Sequence, residues 1–366
     1  MDFNFTEEQT AIRELAREIL EKEVSQERLK EIEKQGDFFD RASWAALAES
    51  NLLGLAIAEE HGGMGMGFLE LCLLLGELGR AVAPTPAFAT LALCALPIAR
   101  FGSDVQQKEW LGAVVRGEAI LTGAFEAADR LDARRVGNEF VLDGVCHNVP
   151  ALELAKRVLV PVSVDGTELV LLVDPESDGV TFEARKTSRH EPIFELRFAA
   201  TQVPGDSVLE GEGIHAWILE RALVGLAALQ VGVSEKALEI TTGYLKQREQ
   251  FGAPLGALPV VQHRCADAYI ALDSMRWVTW QAAWKLAHER PASRAAWVAK
   301  FWACDAGSKI GTATQHLHGG MGVDLDYPIH RYFLWAKSIE LALGAATPTL
   351  LALGSDMART GPQEFA

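Results

Sequence analysis

The chain has 366 residues, 49% of them hydrophobic, which is enough for two or three domains with a large core and excludes a disordered chain. A formal net charge of −16 argues against nucleic acids and anionic membrane surfaces as partners, because both would repel it. The five cysteines are odd in number and none has CxxC spacing, which predicts reduced thiols, a cytoplasmic protein and no metal site.

Residues 1 to 118 are predicted to form an N-terminal helical domain. Thr6 can cap the first helix, with Gln9 three residues later as its capping-box partner. Apolar residues then follow at helical spacing, and the same character returns over 42–58 and 68–81.

Three features of this segment are interpreted as structural rather than functional. The glycine-rich stretch 61–67 is not preceded by a strand, so a helix–helix turn is favoured over a phosphate-binding loop. The acidic start, 1–8, lacks the basic and apolar regions of a signal peptide. The longest apolar run, 69–78, contains Glu70 and Glu77 and is too short for a membrane span.

Residues 119 to 211 are predicted to form a small β domain. The stretch 139–144 reads as a strand ending in a turn at its Asp-Gly pair. Asp165-Gly166-Thr167 predicts a hairpin turn between strands over 158–164 and 168–173. Three apolar residues further on alternate with polar neighbours: Phe194, Leu196 and Phe198.

Residues 212 to 366 are predicted to form a C-terminal helical bundle. Ser293 is expected to cap the third helix. A tryptophan stripe at helical spacing (Trp277, Trp280, Trp284) indicates core or subunit packing rather than a cofactor site. The predicted long helices cover 218–246, 261–288, 293–318 and 327–341, with a last piece after Pro348.

The whole therefore reads as a mainly α fold with a central β domain. Because no strand–GxGxxG–helix unit is present in the sequence, nicotinamide chemistry on a Rossmann fold is not supported.

Two motifs in the C-terminal segment carry a resemblance. Residues 248–256 read Arg-Glu-Gln-Phe-Gly-Ala-Pro-Leu-Gly, and Gly319-Gly320-Met321-Gly322 stands ahead of Asp326-Tyr327-Pro328. With Gln262-His263-Arg264 and the order of the three segments, they resemble the acyl-CoA dehydrogenase family over nearly the whole chain. The resemblance implies FAD as the cofactor and α,β-dehydrogenation of an acyl-CoA thioester as the activity.

In this family FAD crosses a subunit interface, and the neighbouring subunit supplies the arginine and phenylalanine of the RxxFG motif and the double glycine. An arginine fork suits a pyrophosphate, and adjacent glycines let backbone N–H groups approach phosphate or sugar. His316 stands where the family usually has glutamine, with Gln315 beside it. The resemblance assigns FAD binding to Arg248, Gln250, Phe251, Leu255, His316, Gly319 and Gly320.

The usual catalytic glutamate of the family falls on Leu343, which cannot accept a proton. The glutamate position of a second subfamily falls near Ala222, and Glu220 is turned about 200° from it around a helix axis. Glu340 lies three residues before Leu343, where an ordinary helix glutamate near Lys337 is the favoured interpretation. The catalytic residue is therefore open, with Glu220 and Glu340 as weak candidates.

The flavin-ring signature of the family is also missing. Its Thr-Glu-Pro…Gly-Ser-Asp run corresponds to Ala124–Arg130, and its lysine to Cys146. The residues that usually cover the ring give way to His147-Asn148-Val149-Pro150. The pattern predicts that this chain grips FAD for a homologous partner subunit in an α2β2 assembly, with a homotetramer as the alternative.

In the reaction that the resemblance implies, a carboxylate removes the α-proton and the β-hydrogen passes to the flavin as hydride. An acceptor similar to electron-transfer flavoprotein then reoxidises the reduced flavin. The thioester is a fatty or a bulky acyl-CoA, since some bacterial α2β2 members act on steroid side chains. Two other readings stay open: a flavin-dependent oxidase or monooxygenase on the same scaffold, and a non-catalytic structural subunit.

Overall fold

The computed structural model describes residues 4–36, 38–126 and 131–361. Contacts group the chain into two compact units. The first combines Met1–Gln26, Cys72–Ala83 and Leu223–Ala366; the second combines Glu27–Leu71 and Pro84–Ala222. The division into three domains at residues 118 and 211 stays a prediction.

The N-terminal segment is helical, and its first helix begins as predicted. The Gln9 N–H donates to Thr6 Oγ1 at 3.1 Å, and the Thr6 N–H donates to Gln9 Oε1 at 3.0 Å, which completes the capping box. A π-helix, Phe88–Ala95, runs directly into the fifth α-helix. The α-helices are α1 Glu7–Glu23, α2 Gln26–Gln35, α3 Arg41–Glu49, α4 Phe68–Ala81, α5 Leu96–Phe101 and α6 Asp104–Val115.

The helix predicted over 42–58 is wrong beyond Glu49. Asn51 takes a left-handed conformation with φ of 56°, which a helix does not accommodate, and short 3₁₀ turns follow. The glycine-rich stretch 61–67 is a turn, as predicted. A Cβ at Gly63 would overlap the carbonyl oxygen of Ile57, so the backbone at this glycine is packed against protein.

The central segment forms a mixed sheet in the second unit. Its order is β1-β4-β2-β3-β7-β6, with β5 paired to β4. The strands β1 and β2 run parallel to β4, and the other pairs are antiparallel. The bounds are β1 Ile120–Gly123, β2 Leu131–Val136, β3 Glu139–Pro150, β4 Ala155–Val164, β5 Thr167–Val173, β6 Val180–Lys186 and β7 Pro192–Pro204.

Local turn chemistry explains one strand connection and fails for another. Asp165 and Gly166 have φ of 50° and 81° and join β4 to β5, so the predicted hairpin is confirmed. The turn predicted at Asp143-Gly144 is wrong, because β3 continues through it as a bulge with Gly144 at φ of 135°. The predicted alternation on β7 is confirmed, since three side chains face the core of the β domain: Phe194, Leu196 and Phe198.

The C-terminal segment returns to long helices, as predicted, and α9 packs against α8, α10 and α11. Ser293 is the first residue of α9 rather than its cap, and the preceding Ala292 makes no side-chain capping bond. Trp280 packs edge-on against Phe5 at 5.4 Å, whereas Trp277 keeps 48% of its surface exposed. The bounds are α7 Ile214–Gln247, β8 Glu249–Gln250, β9 Ala253–Pro254, α8 Pro259–Ala287, α9 Ser293–Leu317, α10 Ile329–Leu341 and α11 Ala346–Thr360.

Two stretches are long and apolar enough to cross a membrane by length and composition alone, a test that a buried core helix also passes. In α7 the apolar window is 78% buried inside the protein, as in the core helix of a bundle. In Ile329–Thr360 the window is 11% buried, but the helix is interrupted between Leu341 and Ala346.

Candidate functional site

Arg248 stands where α7 ends. Its N–H donates to the carbonyl oxygen of Tyr244 at 2.8 Å, and its own carbonyl accepts from the Leu255 N–H at 2.8 Å. These two bonds fix the residue at the base of a short loop, while its side chain is exposed. In the part of the chain that the structure describes, no residue pairs with its guanidinium. The fork is therefore available to an anionic ligand.

The loop beyond Arg248 is a hairpin with an aromatic tip. Gln250 pairs with Ala253, and the two residues between them, Phe251 and Gly252, have φ of 58° and 79°. Positive φ at both central positions defines a type I′ turn, where phenylalanine is unusual because its Cβ disfavours the left-handed region. The Phe251 side chain is 89% exposed. A strained, solvated aromatic residue indicates a contact surface rather than a packing role.

The double glycine follows the end of α9 as a 3₁₀ turn, Gly319–Val323. A Cβ at Gly319 or at Gly320 would meet no atom within 4 Å, and Gly319 has φ of 57°. Their backbone is therefore open, as a close approach of phosphate or sugar requires. His316 is exposed beside this turn.

Gln315, in the last turn of α9, contacts the glycine turn, and sequence reasoning assigned it no role. Its Nε2 donates to the Gly322 carbonyl at 3.1 Å, and a Cβ at Gly322 would overlap the Gln315 carbonyl oxygen. The turn is thus held from the inside by the glutamine next to His316. The glutamine is visible in the sequence, but the FAD-binding role was assigned to the neighbouring His316.

The two candidate carboxylates are placed as ordinary helix residues. Glu340 Oε2 lies 2.8 Å from Lys337 Nζ, as expected for an i, i+3 pair. Glu220 is half-buried on α7, and Ala222 is fully buried two residues later. Leu343 lies after α10 with φ of 54°, so a leucine occupies a strained backbone position at this corner. The corner itself, residues 342–345, contains no carboxylate in its sequence.

Lys300 supports the same corner and was missed by sequence reasoning. It is fully buried, and its Nζ donates to the Ile339 carbonyl at 2.6 Å. Cys304, one turn later on α9, donates to the Glu340 carbonyl at 3.4 Å. A buried ammonium on the last carbonyls of a helix complements the helix dipole. The signal was a lysine flanked by apolar residues in the first half of α9.

At Ala124 and Phe125, the first residues of the stretch that corresponds to the family's flavin-ring signature, the β domain is closed. Phe125 is 3% exposed and stacks on the His215 ring at 6.0 Å, and a Cβ at Gly123 would overlap the Phe125 ring. Thr122 Oγ1 donates to the Pro150 carbonyl at 2.6 Å, so this hydroxyl is engaged within the protein. The remainder of the predicted stretch, 127–130, lies outside the described residues.

Two further groups near this region are also engaged within the protein. Cys146, at the family's lysine position, is buried, and His147 Nδ1 lies 3.6 Å from Glu195 Oε2. The residues of this end that the structure describes therefore do not fit a flavin ring, whereas the open glycines and the exposed arginine fit a pyrophosphate.

Other chemistries find no support among the described residues. None of them form a group of three or more His, Cys, Asp and Glu side chains that could hold a metal ion. All five cysteines are thiols outside any disulfide. Burial raises the pKa of the Cys94 and Cys265 thiols, so neither is an activated nucleophile.

Comparison with known proteins agrees with these features. The model of the acyl-CoA dehydrogenase N-terminal domain matches residues 6–118, and that of the C-terminal domain matches residues 211–352. Acyl-CoA dehydrogenase FadE27 of Mycobacterium tuberculosis is 34% identical, with 98% of this chain and 100% of that protein covered.

Two solved structures are similar over almost the full length. A variant of the steroid ACAD Tcur3481–Tcur3483 shares 40% identity with a TM-score of 0.91, and the match covers 96% of this chain and 98% of that one. The ChsE4–ChsE5 complex from Mycobacterium tuberculosis shares 34% identity with a TM-score of 0.96 and covers 99% and 100%. This chain therefore belongs to the acyl-CoA dehydrogenase family, whose members are flavoprotein oxidoreductases that bind FAD.

Proposed function

We propose that this chain is the FAD-gripping subunit of a heteromeric acyl-CoA dehydrogenase and that a homologous partner subunit supplies the catalytic carboxylate. One observation carries the proposal: the two ends of the expected FAD site are in opposite states. The backbone at Gly319 and Gly320 is open, whereas Phe125 fills the β-domain end and Leu343 replaces the base.

The residues of this chain would act on the cofactor by binding alone. The Arg248 guanidinium would hold the pyrophosphate, the open backbone at Gly319 and Gly320 would approach phosphate or sugar, and the exposed Phe251 ring would pack at the subunit boundary. FAD, when bound, supplies the electron acceptor for the oxidation. The proton would be removed by the partner's carboxylate, since Leu343 stands where this chain would otherwise carry the base.

The heteromer follows from chemistry and from the relatives together. In a homotetramer every active site would lack the catalytic carboxylate and the residues that usually bind the flavin ring. The complexes Tcur3481–Tcur3483 and ChsE4–ChsE5 each carry two different subunit names, and the first is a steroid ACAD. We therefore infer a steroid or similarly bulky acyl-CoA as the substrate and an acceptor similar to electron-transfer flavoprotein.

The test is a visible absorption spectrum and a native mass of the full chain purified without a partner. A colourless protein with little FAD is expected, because the chain alone offers only one end of the site. A yellow tetramer with one FAD per chain would overturn the proposal and return Glu220 and Glu340 as base candidates.

A second experiment tests the assembly. The tagged full chain, isolated from its own cells, should carry along a homologous chain and half as many FAD molecules as chains. Turnover of a steroid side-chain thioester should exceed that of butyryl-CoA with an artificial electron acceptor. Oxygen consumption in place of dye reduction would indicate an oxidase, and an assembly without FAD would indicate a structural subunit.

A further inference from the structure

The proposed FAD grip has two parts, the Arg248 hairpin and the Gly319–Gly320 turn. A cluster of three aromatic rings lies between them. The His318 ring stacks on Tyr244 with centroids 4.5 Å apart and planes at 28°. Tyr327 closes the cluster, 5.1 Å from His318 and 6.2 Å from Tyr244. All three residues belong to the first compact unit.

Each ring of the stacked pair is tied to one part of the grip. Tyr244 lies in the last turn of α7, and its carbonyl accepts the Arg248 N–H that fixes the base of the hairpin. His318 is the residue immediately before Gly319, at the end of α9. A displacement of either ring would therefore move the arginine and the open glycine backbone relative to each other.

The environment of His318 is unusual for a histidine that only fills space. The side chain is 2% exposed, and Nδ1 donates to the Thr314 carbonyl at 2.7 Å. Its Nε2 is buried, and no described residue forms a hydrogen bond with it. A buried nitrogen without a partner is unfavourable. Apart from the Thr314 bond, the contacts of this ring are its stack on Tyr244 and its packing against Tyr327, so the ring joins the end of α9 to the end of α7.

We propose that His318 is a positioning residue for the FAD grip, holding the Gly319–Gly320 turn against Tyr244 so that the arginine hairpin and the glycine turn form one rigid unit. The inference rests on the proposed function for its purpose, but the coupling itself is a property of the chain without cofactor.

The first experiment measures the coupling without FAD. Amide hydrogen exchange of the full chain is followed by mass spectrometry in peptides covering 248–256 and 319–327. The variants are His318→Leu, which removes the ring, and His318→Phe, which keeps a stacking ring. Tyr332→Phe is the matched control, because this buried tyrosine belongs to the same unit but its hydroxyl donates to the Arg80 carbonyl, and its ring is not one of the three in the cluster.

Exchange in both peptides should rise about two- to tenfold in His318→Leu, the range expected for loss of one aromatic pair. His318→Phe and the control should leave the 248–256 peptide unchanged. A rise confined to 319–327 in His318→Leu would overturn the coupling. If His318→Leu raises exchange throughout the unit, the same measurement on Tyr244→Leu distinguishes coupling from general destabilisation. In Tyr244→Leu, faster exchange in peptide 319–327 with unchanged exchange in the α8 peptides supports the proposal. Any other pattern in that variant overturns it.

A second readout connects the cluster to the cofactor. FAD released from the tagged assembly should fall in His318→Leu and be restored in His318→Phe. Failure of the proposed function is distinguishable, because Arg248→Ala would then leave FAD content unchanged whatever the exchange data show. If Arg248→Ala lowers FAD content and His318→Leu does not, only the positioning role is overturned.

Discussion

Lys337 Nζ lies 2.8 Å from Glu340 Oε2, one helical turn before Leu343. The same ammonium also donates to Ser308 Oγ, at 2.5 Å. The half-buried Glu340 is therefore paired with a residue of its own helix, as the sequence analysis predicted. A carboxylate engaged in this way is a poor candidate for a base that must reach a substrate carbon.

Glu340→Gln and Glu220→Gln should each leave turnover of the isolated assembly within about threefold of the wild type, since loss of a true general base lowers rates by about 10²- to 10⁴-fold. Initial rates with an acyl-CoA and an artificial acceptor measure this, with FAD content determined on the same samples. A hundredfold loss in either variant with FAD retained would mean that this chain carries the base.

Arg248→Ala should weaken FAD binding by the assembly about tenfold or more, because a charge-assisted bidentate contact contributes about 1.5–3 kcal/mol. Lys246→Ala is the matched control, since it removes the same charge two residues earlier from an exposed position. FAD retained after dialysis, read from its absorbance, reports the difference. Equal losses in both variants would point to a general charge effect rather than a specific contact.

Sequence reasoning succeeded where the signal is local. The capping box at Thr6 and the Asp165-Gly166 hairpin are fixed by neighbouring residues, so they were predictable. Asp143-Gly144 looked like the same kind of turn. Its role as a bulge is decided by β7, some fifty residues later, which pairs with β3 on both sides of it.

The site divides in the same way. Motif spacing pointed to Arg248 and the double glycine, but it gave no indication that Phe125 folds onto Gly123 or that His318 stacks on Tyr244. These contacts depend on how the chain packs in three dimensions, which motif spacing does not encode. The assignment of FAD-binding residues stays a prediction until the variants are measured.

Glu77→Gln should destabilise the folded chain. Arg17 donates to both oxygens of this carboxylate, at 2.9 and 2.7 Å, and joins α1 to α4. The Glu77 side chain is 6% exposed and that of Arg17 is 34% exposed, so the expected loss is about 1–3 kcal/mol, below the value for a fully buried pair. Urea unfolding measures it. Glu118→Gln breaks a pair exposed on both sides and should change the midpoint little.

The contribution of His318 to stability should depend on pH. Burial lowers the pKa of this histidine below its ordinary value, so the folded protein keeps it neutral where the unfolded chain takes up a proton. The stability that this group contributes is complete above the unfolded pKa of about 6.5 and is lost as the pH falls from there through the lower folded pKa. The groups that face the ring are Tyr244, Tyr327 and the Thr314 carbonyl. Between about pH 7.5 and pH 5.5 the wild type should therefore lose more unfolding free energy than His318→Phe, which cannot titrate.

Parallel urea titrations of the two proteins at these two pH values measure the difference. The contributions of the carboxylates, which both proteins share, cancel in the comparison. An identical pH slope in the two proteins would show that the folded state leaves the proton affinity of His318 unchanged.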